Sequence, residues 1–338
     1  MKHKFWIAVL SILTALCLCI GITACGGNSG DNQGSNPPVG DNSGDEQGGG
    51  TPTDHEHTYG VDNKCSECND VWAFTEGLQY TSIDNGAHYA VSGIGSASGD
   101  IVIAYGYNGK AVTEIAANAF SHTNITSVTV PDSVTAIGEF AFAYTESCTS
   151  ITLGDNVTTI GNTAFFRCRI TSITLPDSVT SFAGAFSNCT SLTEITIPDK
   201  VTSIGYKAFA DCTGLRSITI GNGVTSIGEC AFSGCTSLTD VTLGDSVTSI
   251  DTLAFQRCTS LESITIPASV TSIVGGAFSQ CSKLTSVTFE TTSGWKVIPD
   301  TGSGTQSVPS SSLEDPSTAA QYLANSNRYC WYDWTRSE

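Results

Sequence analysis

"SLTEITIPDKVTSIGYKAFADCTGL" fills residues 191–215, and the chain writes nearly the same words at 214–238 (GLRSITIGNGVTSIGECAFSGCTSL) and at 237–261 (SLTDVTLGDSVTSIDTLAFQRCTSL), each time 23 residues further on. Repetition at such an interval marks a stack of coils, because one copy cannot bury its apolar face alone and neighbouring copies bury it together. In the first copy Ile195 and Ile197 fall on one side of an extended segment and Thr196 on the other, the alternation of a strand. Pro198 has no N–H to continue a ladder and closes that strand. Val201 and Ile204 supply a second apolar pair. Gly205 is expected to provide a turn, after which Ala208 and Phe209 return to the interior.

The Ala-Phe pair recurs with Phe120, Phe142, Phe165, Phe186, Phe209, Phe232, Phe255 and Phe278. From Phe186 onward the interval is a constant 23 residues; before it, the interval varies by one or two. Other departures are local. Cys148 stands where Leu192 does, Thr145 stands where Cys212 does, and one residue is missing around Phe182. Val274 occupies a glycine turn position, which a β-branched residue is expected to tolerate badly. The expected fold is mainly β: a solenoid of about eight to nine coils with a period of roughly 23 residues, right-handed by the crossover rule. A disordered N-terminal stalk and a short helical and aromatic C-terminal cap complete it. Asp315-Pro316 reads as a helix start, and the aromatics around Trp331 and Trp334 as cover for the last open edge.

Six of the 14 cysteines follow the period. Cys168, Cys189, Cys212, Cys235, Cys258 and Cys281 each lie three residues after a repeat Phe and form an inward ladder. Coils about 4.8 Å apart bring their thiols to the short end of disulfide geometry, so free buried thiols are expected. Cys148, Cys230 and Cys330 fall outside the ladder. Outward positions are mostly hydroxyl, including Thr196, Thr219 and Thr242, which β propensity alone explains. Specificity is therefore expected from the outward positions that vary: Glu194, Arg216, Asp240, Glu262 and Lys283.

Upstream of the repeats the sequence changes character twice. Lys2 and Lys4 precede an apolar run from Phe5 to about Ile22, the pattern of a secretory signal, though the run is also long enough to span a membrane. Ile22-Thr23-Ala24-Cys25 resembles the bacterial lipobox, which implies a diacylglyceryl-modified Cys25 on the outer side of a membrane, cytoplasmic or outer. Residues 26–53 are nearly all Gly, Ser, Asn and Asp and cannot offset their ordering entropy, so they read as a flexible stalk about 30 Å in reach. His55, His57, Cys65 and Cys68 then supply two imidazoles and two thiols. Structural zinc, a Cys65–Cys68 disulfide and a solvated segment without metal all fit these four residues. The resulting division is a signal peptide over 1–24, a lipidated cysteine and linker over 25–53, and a Cys/His segment over 54–70. A lead-in follows over 71–96, repeats over 97–290, and a linker with cap over 291–338.

The unit "C-T-S-L-x-x-I-T-I-P-x-x-V-T-S-I-G-x-x-A-F", as at 189–209, resembles the BspA-like, or treponemal-type, leucine-rich repeat of bacterial surface proteins. That resemblance implies a non-enzymatic, surface-exposed binding module, since several relatives are described as adhesins. Its implied partners are host extracellular-matrix or other cell-surface proteins, with glycans as an alternative ligand and a spacer without ligand as another reading. The residues themselves agree with a non-catalytic role. Histidine is confined to five positions, and no serine lies in a nucleophile elbow. No glycine-rich loop opens a helix as a phosphate cradle would. The formal charge of −18 disfavours nucleic acid and anionic lipid as electrostatic partners.

Overall fold

The computed structural model describes residues 58–66, 71–298, 305–324 and 332–336. Cys25, His55, His57, Cys68, Cys330 and Trp331, with the signal and stalk, lie outside them.

The repeats wind into a mainly β solenoid of about nine turns. Two parallel ladders run along it. The first is built from segments such as Glu194–Ile197, Ser217–Ile220 and Asp240–Thr242, with Ile195 beside Ile218 and Ile218 beside Val241. The second is built from two-residue strands, Ser203–Ile204, Ser226–Ile227, Ser249–Ile250 and Ser272–Ile273, again in exact 23-residue register. Both follow the alternation of the sequence, with Ile195, Ile197, Val201 and Ile204 all buried. A one-residue slip would turn every one of them to solvent, so burial fixes the register.

The third side of each coil carries the Ala-Phe pair. All eight repeat Phe side chains are fully buried and form one continuous stack, with centroids 5.0–5.4 Å apart and planes within 13° of parallel. Alternate backbone N–H groups here bond the next coil, for example Lys207 to Glu229, Phe209 to Ala231 and Asp211 to Ser233. To reach in this way the backbone turns left-handed twice per coil, two residues before and two residues after the Phe. Lys207 (φ 54°) and Asp211 (φ 58°) are one such pair.

This relocates the turn expected at Gly205. Gly205 itself has no positive φ, and a Cβ added there would meet nothing nearer than 3.6 Å. Val274 in the equivalent place is accordingly unstrained. Glycine at Gly138 has a different cause: a Cβ would come within 2.5 Å of the Ala117 nitrogen.

Both ends are closed. At the start, the hairpin of Gln79–Ile83 and His88–Gly93 extends the second ladder, with His88–Gly93 parallel to Lys110–Ile115. Thr75 bonds both backbone groups of Val102, and Trp72 donates its indole N–H to the Ile103 carbonyl. Asn63 exchanges two 3.2 Å hydrogen bonds with Gly106, pinning residues 58–66 on the same end. At the other end helix α1 (Ser310–Glu314) and helix α2 (Pro316–Leu323) cover the last strand of the first ladder, Ser286–Phe289. Asp315 caps α2 by accepting from the Ser317 and Thr318 amides. Asp333–Arg336 runs antiparallel to Ser272–Ile273 and buries Trp334 against the second ladder. Closed edges leave no template for end-to-end pairing.

Candidate functional site

Two threonine rows face solvent, and their chemistry differs. On the second ladder Thr158, Thr180, Thr225, Thr248 and Thr271 each donate Oγ1–H to the carbonyl of the threonine one coil earlier, at 3.0–3.4 Å. Those hydroxyls are occupied in holding coil to coil. On the first ladder Thr196, Thr219 and Thr242 are exposed and stack in register. They make no side-chain hydrogen bond among the described residues. The first row is the one that offers hydroxyls to a ligand.

The charged positions fall into three columns rather than one. Glu194 and Asp240 share a column with Ser217 between them. Arg216 and Glu262 occupy the column before it, alternating with Thr193, Thr239 and Thr285; Thr239 Oγ1 bonds the Arg216 carbonyl at 3.2 Å. Lys283 stands two residues earlier than that column, in the position of Ser260 and Ser237. All five are exposed. The structure places them on one side of the solenoid without bringing them into contact.

A second variable surface, missed in the sequence, lies along the turn edge. The left-handed position two residues after each Phe is taken by His122, Tyr144, Arg167, Asn188, Asp211, Gly234, Arg257 and Gln280, with φ between 57° and 78°. Asn, Asp and Gly suit that conformation, whereas other L-residues hold it at a cost of roughly 1–2 kcal/mol each. At successive rungs His122 and Tyr144 stack at 4.3 Å and 11°. Tyr144 meets Phe166 edge-on at 5.2 Å, and the Arg167 guanidinium lies 5.9 Å from the Tyr144 ring and 5.7 Å from the Phe166 ring. Beside them Glu146, Arg167, Arg169, Asn188 and Thr190 line a shallow cleft of about 340 Å³. The bare sequence flags this column only weakly, because Asn188, Asp211 and Gly234 alone among its residues favour a left-handed backbone.

The ladder cysteines are structural in their bonding. Cys189, Cys212, Cys235, Cys258 and Cys281 each donate S–H to the carbonyl of the Phe one coil earlier, at 3.0–3.3 Å. Burial pushes the Cys212 thiol up to about 12 and those of Cys189, Cys235 and Cys258 well above their ordinary range. At the start of the ladder Cys168 Sγ lies 3.1 Å from Thr145 Oγ1, whose O–H goes to the Phe142 carbonyl, and contacts Cys148, whose own thiol that contact pushes up. Cys230 is half-buried and lies off the ladder.

Cys65 is buried, bridging backbone-to-backbone with Tyr59. The other three residues proposed to join it on a metal lie outside the described residues. Among the described residues no group of three or more His, Cys, Asp or Glu side chains could hold a metal ion. Neither described histidine sits beside a nucleophile: His88 bonds Asp84 at 2.9 Å on the surface, and His122 stacks on Tyr144.

Comparison with known proteins places this surface in context. The profile described as "BspA type Leucine rich repeat region" matches six copies over residues 113–220 and 182–295. A T. pallidum leucine-rich repeat protein of known structure is 25% identical, with a TM-score of 0.50, covering 62% of this chain and 88% of that one. A leucine-rich cell surface protein from Faecalibacterium prausnitzii is 23% identical over 64% of this chain and 94% of that one, with a TM-score of 0.30. The pneumococcal vaccine antigen PcpA is 18% identical over 64% and 81%, with a TM-score of 0.33. None of the curated proteins matches the chain.

Proposed function

Because the chain belongs to the BspA-type leucine-rich repeat family, we propose that it is a non-enzymatic binding module, lipid-anchored through Cys25 at the bacterial surface. Its role in this reading is adhesion to host matrix or other cell-surface proteins. The observation that carries it is the division of labour within each coil. Core rows and the second threonine row are consumed in holding the stack, while the first threonine row and the charged columns keep their hydrogen-bonding capacity for a partner. A rigid, end-capped scaffold with unspent polar groups binds without first having to be ordered, which lowers the cost of association. The lipobox-like run at Ile22–Cys25 and the polar stalk behind it support projection from a membrane.

The test uses the chain carrying Cys25→Ser, which removes the lipid, presented to immobilised matrix proteins. Saturable binding to one of them is expected, weakened when Arg216 and Glu262 exchange charge. A flat response to every protein, together with no response to glycans, would reduce the chain to a spacer. Incorporation of labelled palmitate into the wild-type chain, and its loss in Cys25→Ser, checks the anchor.

A further inference from the structure

We propose that the cleft across the coils of Phe142, Phe165 and Phe186 binds a carboxylated saccharide, a sugar of the uronic or sialic acid type. This rests on the reading of the chain as a binding module and assigns that module a site.

The cleft exists because one coil is short. Phe165 to Phe186 spans 21 residues, against 23 on either side. One residue is absent near Phe182 and a second where Cys168-Arg169-Ile170 replaces the pattern Cys189-Thr190-Ser191-Leu192. The neighbouring coils keep full length, so Glu146 on one side and Asn188 and Thr190 on the other overhang a notch. Arg169 lies in the shortened segment and Arg167 two residues before it, both exposed and both lining the cleft.

Charge and conformation then narrow the ligand. The chain has only 14 Lys and Arg against 32 Asp and Glu, yet two guanidiniums meet at this notch, opposite a single lining carboxylate, Glu146. Neither arginine forms an ion pair among the described residues. Arg167 is held against Tyr144 and Phe166 in place of a carboxylate, which fixes its planar fork before any ligand arrives. Tyr144 and Arg167 also retain the costly left-handed backbone where Asn188 or Gly234, one and three rungs on from Arg167, would hold it without strain. A planar carboxylate is the group that such a fork recognises.

The rest of the lining selects a sugar. The Asn188 amide, the Thr190 hydroxyl and the Glu146 carboxylate match the hydroxyls of a pyranose ring. No aliphatic pocket is present among the lining residues to seat a peptide side chain. A run of acidic residues would also set its second carboxylate against Glu146.

The experiment uses the full chain in detergent micelles. It is titrated with sialyl- and glucuronyl-oligosaccharides, with the same sugars after reduction of the carboxyl to an alcohol, and with oligoglutamate. Arg167→Gln and Arg169→Gln are compared with Arg257→Gln; glutamine is tolerated at Arg167 and Arg257 because Gln280 already occupies their column at φ 63°. Saturable binding of at least one acidic sugar is expected. Binding should weaken about tenfold or more on carboxyl reduction and in either cleft variant, and should be unchanged in Arg257→Gln. Acidic-sugar binding that survives both cleft variants overturns the assignment. So does binding of matrix protein or oligoglutamate without acidic sugar, which leaves the binding-module reading standing. Absence of binding to sugars, peptides and matrix proteins alike overturns both.

Discussion

The two halves of the solenoid use one repeat to different ends. From Phe186 to Phe278 every interval is 23 residues, and each ladder thiol bonds the Phe carbonyl one coil back. Between Phe120 and Phe186 the intervals are 22, 23 and 21, and threonine stands in the cysteine place at Thr123 and Thr145. Those threonines bond the Phe carbonyl of their own coil instead, at 2.6 and 2.7 Å. Yet the Phe stack passes through both halves without a break, its spacing nowhere above 5.4 Å. Irregularity therefore leaves the stack unbroken, with Phe182 packing edge-on against Phe186 and Phe209 where other coils carry Ile, and it shows at the surface along the turn edge. There it displaces side chains relative to their neighbours, and such displacement converts a uniform surface into a notch with a particular lining.

The largest effect expected from this contrast is in the stack itself. Phe232→Ala removes a fully buried ring flanked on both sides and should cost about 3–5 kcal/mol, read from the urea midpoint. Phe120→Ala, at the end of the stack with one ring neighbour, should cost visibly less. Equal losses would mean that the two halves do not share one cooperative core.

Alkali provides the next test. Burial raises the thiols of Cys189, Cys212, Cys235 and Cys258 above their ordinary value of about 9, with Cys212 at about 12. Between those values the unfolded chain has released protons that the folded chain retains, so the unfolded state is favoured as pH rises. The thiol contribution to stability should be constant below pH 9 and fall from there toward pH 12, by roughly 1.4 kcal/mol per thiol per pH unit. Thermal melts across that window check it, and a chain with Cys189, Cys212, Cys235 and Cys258 replaced by Thr should lose the dependence.

Smaller effects follow from moving features between halves. Cys235→Thr copies Thr145 into a regular coil and exchanges the bond to the Phe209 carbonyl for one within its own coil. It should cost at most about 1.5 kcal/mol by chemical denaturation. Arg257→Gly relieves a left-handed residue that touches no stacked neighbour and should stabilise by up to about 1 kcal/mol. Tyr144→Gly relieves the same strain but loses the His122 stack, so its melting temperature should not rise.

Much of this architecture was legible in the sequence, because burial enforces periodicity. Ile195, Ile197, Val201, Ile204 and Phe209 could be assigned inward by spacing alone, and so could the cysteine ladder. The helix start at Asp315-Pro316 was legible for a local reason, since an acid followed by proline is a cap that needs no tertiary context. The left-handed columns were hidden, because inter-coil hydrogen bonds impose that backbone on Tyr144, Lys207 and Leu253, residues with no preference for it. The same constraint made Gly205 misleading as a turn marker. The cleft was hidden for a third reason. A single omitted residue reads as a lapse in the repeat, and only stacking shows that Glu146, Arg169 and Thr190 come to line one cleft.

Refilling that space tests most directly whether irregularity makes the site. Inserting one threonine between Cys168 and Arg169 restores the regular spacing of the segment and replaces no core residue. The circular dichroism spectrum should stay that of the wild-type chain, while titration with the acidic sugar should lose at least tenfold in affinity. Undiminished binding by a folded insertion variant would contradict the claim that the short coil builds the site.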